Sequence, residues 1–270
     1  MRVKDAHFPN ASRQILGNIM KMHFITLLFA MTATLARPAS AELDQTHAAF
    51  DKILQTNVNA KGANYAALKK DPAPLDAYLK SLADVSDSEF KSWSSDQQMA
   101  MLINLYNAAT LKLVADHYPV KSIKDIGGSA GPWKQAVVDL LGKKQTLDYL
   151  ENNILRPNYN DPRIHFAINC ASIGCPALRS SAYRPDKLSS QLDEETRAFL
   201  SATSKNRVDA KNKTLYLSPI FDWFKSDFVK KSGSVEKFIA PYLTAADKKV
   251  VLGGGLSIKS TDYSWSLNKQ

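Results

Sequence analysis

The chain has 270 residues, 44% of them hydrophobic and 23% charged, with a formal net charge of +9. That length and apolar content support a substantial buried core and exclude a disordered or collagen-like chain. The positive balance does not make a nucleic-acid protein, because much of it sits at one end: residues 1–41 hold Arg2, Lys4, Arg13, Lys21 and Arg37 against Asp5 alone. The rest carries 30 Lys and Arg against 25 Asp and Glu, interspersed along the chain, so no basic stripe for a phosphate backbone is expected.

The stretch from Met20 to Ala41, MKMHFITLLFAMTATLARPASA, has a basic start at Lys21, an apolar run from Phe24 to Ala36 and Ala39 and Ala41 around Ser40. This is the pattern of a cleaved secretory signal peptide, with translation starting at Met20 or Met22 and the mature chain near Glu42. The apolar run is short of the roughly 20 residues that span a bilayer, and no later segment reads as a span. The expectation is an exported protein, periplasmic rather than extracellular, made of a removed leader over 1–41 and a single domain over 42–270.

Residues 45–55 space Ala49, Phe50, Ile53 and Leu54 at helical intervals. GANYAALKK, from Gly62, reads as an extended or turn segment. Residues 74–85 put Leu75, Tyr78, Leu79 and Leu82 on one helical stripe. The strongest helix covers 94–118, with Ser95 and Gln98 in capping-box spacing and Pro119 beyond its end. It is apolar on most faces yet contains Asn104 and Asn107, which need partners, either loop backbone or a site. Residues 146–157 predict a short helix stopped by Pro157, and RIHFAINC, residues 163–170, an apolar strand. A helix over 185–200 follows, then a hairpin in RVDAKNKTLYLS, a helix opening at Pro219, another in SVEKFIAPYL, and a tail strand with Trp265 in the core. The sum is an α+β, helix-rich domain with a small antiparallel sheet in its second half.

Several segments in this order, DQQMAMLINLYNAATLKLV, VKSIKDIG, PWKQAVVDLLGKKQTLDYLENNILRP, DPRIHFAINCASIGCPALR, SPIFDWFKSDF and YSWSLN, resemble the bacterial DUF547 domain over roughly residues 43–268. The family name denotes unknown function, so the resemblance implies a domain type and no reaction. Two places depart from its pattern: Met101-Leu102 stands where relatives often have Phe-Trp, and Glu151-Asn152 where they commonly have Glu-His. The second departure removes a ligand or base that a histidine mechanism would use.

The chemistry concentrates at Cys170 and Cys175, with His165 close by in sequence. Two cysteines five apart in an exported protein invite a structural disulfide, closed by a turn at Gly174. The alternative is catalytic. In a continuous strand His165 and Cys170 would face opposite sides, whereas a turn at Ser172–Gly174 could return Cys175 towards His165 and place it before a helix starting at Pro176. Cys175 and His165 would then perform acyl or amide transfer, oriented by Asn104, with Asn107, Cys170, Arg163 and Asp222 as binding or supporting groups. The other function is a secreted binding module with inert, oxidised cysteines. No spacing matches a metal site, no cofactor is expected, and the partner on either reading is a small molecule or peptide.

Overall fold

The computed structural model describes residues 42–270; the expected leader over 1–41 lies outside the described residues. The first helix, α1 (Ala48–Asn57), is followed by a two-stranded ribbon, β1 (Val58–Asn59) and β2 (Gly62–Ala63). GANYAALKK is extended only at its start, in β2, and helical beyond it: Asn64 accepts a hydrogen bond from the Ala67 N–H at 3.0 Å and so caps α2 (Tyr65–Lys70). Then come α3 (Ala73–Ala83), α4 (Asp87–Ser92) and the long α5 (Ser95–His117).

The start of α5 shows the expected capping box one residue earlier, in Ser94 and Gln97. Gln97 N donates to the Ser94 hydroxyl at 3.3 Å, and Ser94 N donates to Gln97 Oε1 at 2.9 Å. Every residue from Met99 to Leu111 is buried, because neighbouring elements cover the helix all round. That is the arrangement for a helix apolar on most faces. The larger hydrophobic cluster forms around it, with Phe50, Leu75 and Tyr78 from α1 and α3.

A second ribbon, β3 (Val138–Leu140) with β4 (Lys143–Gln145), leads into a helix of three parts: α6 (Leu147–Tyr149), a π-helical stretch over Leu150–Leu155, and α7 (Arg156–Tyr159). Pro157 does not stop this helix. It lies in the first turn of α7, where a proline's missing N–H costs little. The wider π turn turns Glu151 inward, where it is buried.

The largest departure from the sequence expectation is RIHFAINC. Residues Ile164–Ala167 form one helical turn, α8, and the chain extends only from Ile168. A short, continuous apolar run fits a buried helix as well as a buried strand, and here burial on all sides decides it. Ile164, Ala167 and Ile168 join the cluster around α5, whereas Phe166 enters a second cluster with Phe199, Phe221, Phe228 and Phe238. His165, on the same turn, is left facing a cavity between other side chains.

No helix starts at Pro176; the chain is irregular there until α9 (Leu188–Ser201). The hairpin of β5 (Arg207–Asp209) and β6 (Thr214–Leu217) forms as expected. The sheet is mixed, however. After α10 (Ile220–Trp223), α11 (Lys225–Ser232), α12 (Val235–Ile239) and α13 (Ala245–Gly253), strand β7 (Ser257–Ser260) pairs parallel to β6. The architecture is α+β and rich in helix, with small sheets. Among the described residues no helix is long and apolar enough to cross a membrane.

Candidate functional site

Cys170 and Cys175 form a disulfide with a Cα–Cα distance of 6.2 Å. Backbone and side-chain contacts together hold the turn that closes it. Ala171 takes a positive φ of 59°, and Cys175 N donates to Ser172 O at 3.2 Å. The C-terminal segment lies alongside: Ile173 N donates to Ser266 O at 2.9 Å, Gly174 N to Ser264 O at 2.8 Å, and Asn268 N to Ala171 O at 3.1 Å. The buried side chain of Asn169 spans the turn, accepting from Ala171 N at 2.8 Å and donating to Pro176 O at 2.7 Å. Lys205 donates its ammonium to the Cys175 carbonyl. The Tyr263 hydroxyl caps the disulfide, 3.1 Å from Cys170 Sγ and 3.2 Å from Cys175 Sγ.

The two asparagines of α5 bond to loop backbone at both ends of their amides. Asn104 donates to Tyr183 O at 2.8 Å and accepts from Tyr183 N at 2.9 Å. Asn107 donates to Ala167 O at 2.9 Å and accepts from Asn169 N at 2.8 Å. These amides replace the β-ladder partners that irregular backbone lacks, which satisfies the need that their burial creates. Asn107 therefore positions the segment between α8 and the cysteine turn. Asn104 holds Tyr183 and does not orient His165.

His165 is oriented by an acid that the sequence reading did not select. Its Nε2 lies 2.8 Å from Asp227 Oδ2, and its ring stacks on Phe224 with centroids 3.9 Å apart. Arg156 grips the same carboxylate through Nε at 2.7 Å and Nη2 at 3.0 Å, and its Nη1 donates to Asn152 Oδ1 at 2.6 Å. Burial holds His165 below its usual pKa despite the pull of Asp227, so at neutral pH the ring is neutral. Burial pulls Asp227 the other way, but hydrogen bonds from His165 and Arg156 outweigh it and keep the carboxyl well below the ordinary carboxylate range. A carboxylate can only accept, so Nε2 carries the proton and Nδ1 is left with its lone pair. That Nδ1 is buried without a hydrogen-bond partner.

His165, Cys170 and Cys175 border one cavity of about 260 Å³. Its walls are mainly aromatic: Tyr106 from α5, Trp133, Trp223 and Phe224 from α10 and the turn after it, and Tyr263 and Trp265 from the tail. The rings touch in sequence, with centroids 5.7 Å apart for Trp133–Trp265, 4.7 Å for Tyr263–Trp265 and 4.8 Å for Trp223–Tyr263. Trp265 is half-buried in this wall and is not a core residue, and Trp223 is 49% exposed. Glu151, Asp148 and Asn152 add the polar lining. Glu151 accepts from the Tyr106 hydroxyl at 3.2 Å, and burial pushes its carboxyl up to about 7. Asn152 thus lines the cavity, engaged with Arg156.

The remaining predicted residues lie elsewhere. Arg163 is tied to Asp161 at 2.6 Å and to Asp193 of α9 at 2.8 Å, and does not line the cavity. Asp222 is exposed on α10 and also stands outside the lining. The sequence reading missed Asp227, Asn169, Tyr106, Glu151 and the tryptophans as a set. The aromatic run FDWF and the tail YSW were the available signals, but only the fold brings them together.

Neither the curated proteins nor the solved structures gave a match. The matched family is described as "Protein of unknown function, DUF547". The match is narrower than the motif resemblance over 43–268. It takes in α5, the π-helical turn and the disulfide, while Trp223, Asp227, Tyr263 and Trp265 fall outside it. The likeness to DUF547 is thereby borne out over residues 90–200.

Proposed function

We propose that the domain is an exported binding module whose site is the aromatic cavity beside the Cys170–Cys175 disulfide. The observation that carries this reading is the cavity itself. Six aromatic side chains and one buried carboxyl group line a space of about 260 Å³, enough for a small molecule, and the two sulfurs beside it are bonded to each other. A closed disulfide has no thiolate to attack a substrate, and it supports the secretory reading of residues 20–41, because disulfides persist in oxidising compartments. The periplasm is the proposed location. Titrating tryptophan fluorescence with small cationic, neutral and anionic fragments tests the site. At least one class should perturb the emission, and Trp223→Ala should abolish the response. Silence from all three classes would overturn the reading.

A second reading is favoured by one observation: the neutral, unpartnered Nδ1 of His165 belongs to a side chain that borders the same cavity as Cys175. Reduction of the disulfide by an external dithiol, which is itself oxidised to a disulfide, would release Cys170 and Cys175 as thiols and make Cys175 available as a nucleophile. Its thiolate would attack an acyl carbon, and the imidazolium formed by taking the thiol proton would protonate the departing amine or alkoxide. Alkylation of the reduced protein at about pH 6 separates the readings. An enzyme labels Cys175 faster than Cys170 and is slowed by His165→Ala, whereas a binding module labels both sulfurs slowly and alike.

A further inference from the structure

The chemistry of the cavity lining narrows the ligand class. Its charged members, Glu151 and Asp148, are both acids, and no lysine or arginine lines it. His165 adds no charge at neutral pH. Three indoles, two phenols and a phenyl ring line it, and the quadrupole of such rings attracts cations. The rings here already meet cations from their own chain. The Lys124 ammonium lies 3.8 Å from the Trp265 ring centroid, and the Arg156 guanidinium 5.0 Å from that of Phe224. An anionic ligand would meet two acids in the lining and no lysine or arginine among the lining residues.

Resting on the binding-module reading, we propose that the ligand is a small organic ammonium ion, seated among Trp133, Trp223, Trp265 and Tyr263 and neutralised by Glu151. Glu151 is suited to this role by position. It is buried at the start of the π-helical stretch, and the Tyr106 hydroxyl is its hydrogen-bond donor among the described residues. The groups acting on it are Tyr106 and Arg156, which favour its charged form, and Asp148 and Asp227, which oppose it along with burial. An ammonium ion beside Glu151 compensates the negative charge that burial disfavours, so binding expels a proton from the carboxyl and the affinity falls as the pH drops below about 7.

The test compares choline with its neutral carbon isostere, dimethylbutanol, by calorimetry and tryptophan fluorescence on the oxidised mature domain. At about pH 8 choline should bind at least ~10-fold tighter than the isostere, the gain expected of a desolvated cation–π and carboxylate site. Lowering the pH to about 5.5 should weaken choline at least ~10-fold and leave the isostere unchanged, because most Glu151 is then protonated. Glu151→Gln should remove both the preference and its pH dependence; the pH titration of the wild-type protein stands even if that variant folds poorly. Equal binding of the two compounds, or pH-independent choline binding, would overturn the cation proposal while leaving the cavity a binding site. If neither compound binds, the cation proposal is overturned. If fragments of other charge also leave the fluorescence unmoved, the binding-module reading falls with it.

Discussion

Replacing Asn107 by alanine should destabilise the domain without touching any cavity group directly. The side chain is 2% exposed, and it satisfies the Ala167 carbonyl and the Asn169 N–H, both in buried residues. Removing it orphans two backbone groups at a cost of about 1–3 kcal/mol each. Partial relaxation and water entry recover some of this, so a net loss of about 3 kcal/mol is expected. For a domain of this size that lowers Tm by roughly 6–12 °C. Urea unfolding of the oxidised domain, residues 42–270, followed by circular dichroism, should show a lower midpoint with an unchanged slope. Asn104→Ala should behave similarly through Tyr183. A loss below about 1 kcal/mol in Asn107→Ala would refute the claim that this amide builds the segment leading to the cysteine turn. Normal stability with abolished ligand response would instead return Asn107 to the site.

Three further outcomes follow from particular contacts. Cys170→Ala and Cys175→Ala should each cost about 2 kcal/mol, as expected for a bridge with a sequence separation of 5, and unequal losses would mean that one sulfur does more than close the turn. Glu151 has its carboxyl raised to about 7 from an ordinary 4.5 by burial, so the folded state holds a proton that the unfolded chain releases; that contribution is full below pH 4.5 and lost as the pH rises through 7. Glu151→Gln should therefore be more stable than the parent by on the order of 2 kcal/mol at pH 8 and nearly equal at pH 4.5, and a less stable variant at pH 8 contradicts this. A Cβ on Gly174 would stand 2.7–2.8 Å from the Tyr263 ring, so Gly174→Ala should displace that ring and cost about 1–3 kcal/mol; unfolding midpoints and near-ultraviolet circular dichroism report both effects.

The periodic helices α3 and α5 were legible because each shows its apolar pattern over several turns, and the β5–β6 hairpin because its apolar strands flank a polar turn. α8 was not legible. Its four residues are too few to show a helical period, and burial on every side removes the polar face that would mark one. The need for partners at Asn104 and Asn107 could be read from an apolar helix, but not that loop backbone would supply them. The pairing of His165 with Asp227 spans 62 residues, and the sequence offered Asp222 five positions earlier as an equally plausible acid. Which of the two faces inward depends on how α10 and α11 pack. The cavity walls come from α5, the Trp133 turn, α10 and the tail, so their convergence is a property of tertiary structure alone.

The indole N–H signals of the domain, residues 42–270, give the most direct measurement of the central claim, that this cavity binds a small organic ammonium ion. Trp133, Trp223 and Trp265 line it, whereas Trp93 lies beside Phe90 at the end of α4 and serves as the internal control. In a tryptophan-labelled ¹⁵N spectrum at about pH 8, choline should shift the three cavity indoles together, with one saturation curve, and leave Trp93 in place. Uniform small shifts of all four, or no shift at choline concentrations well above the millimolar range, would contradict it.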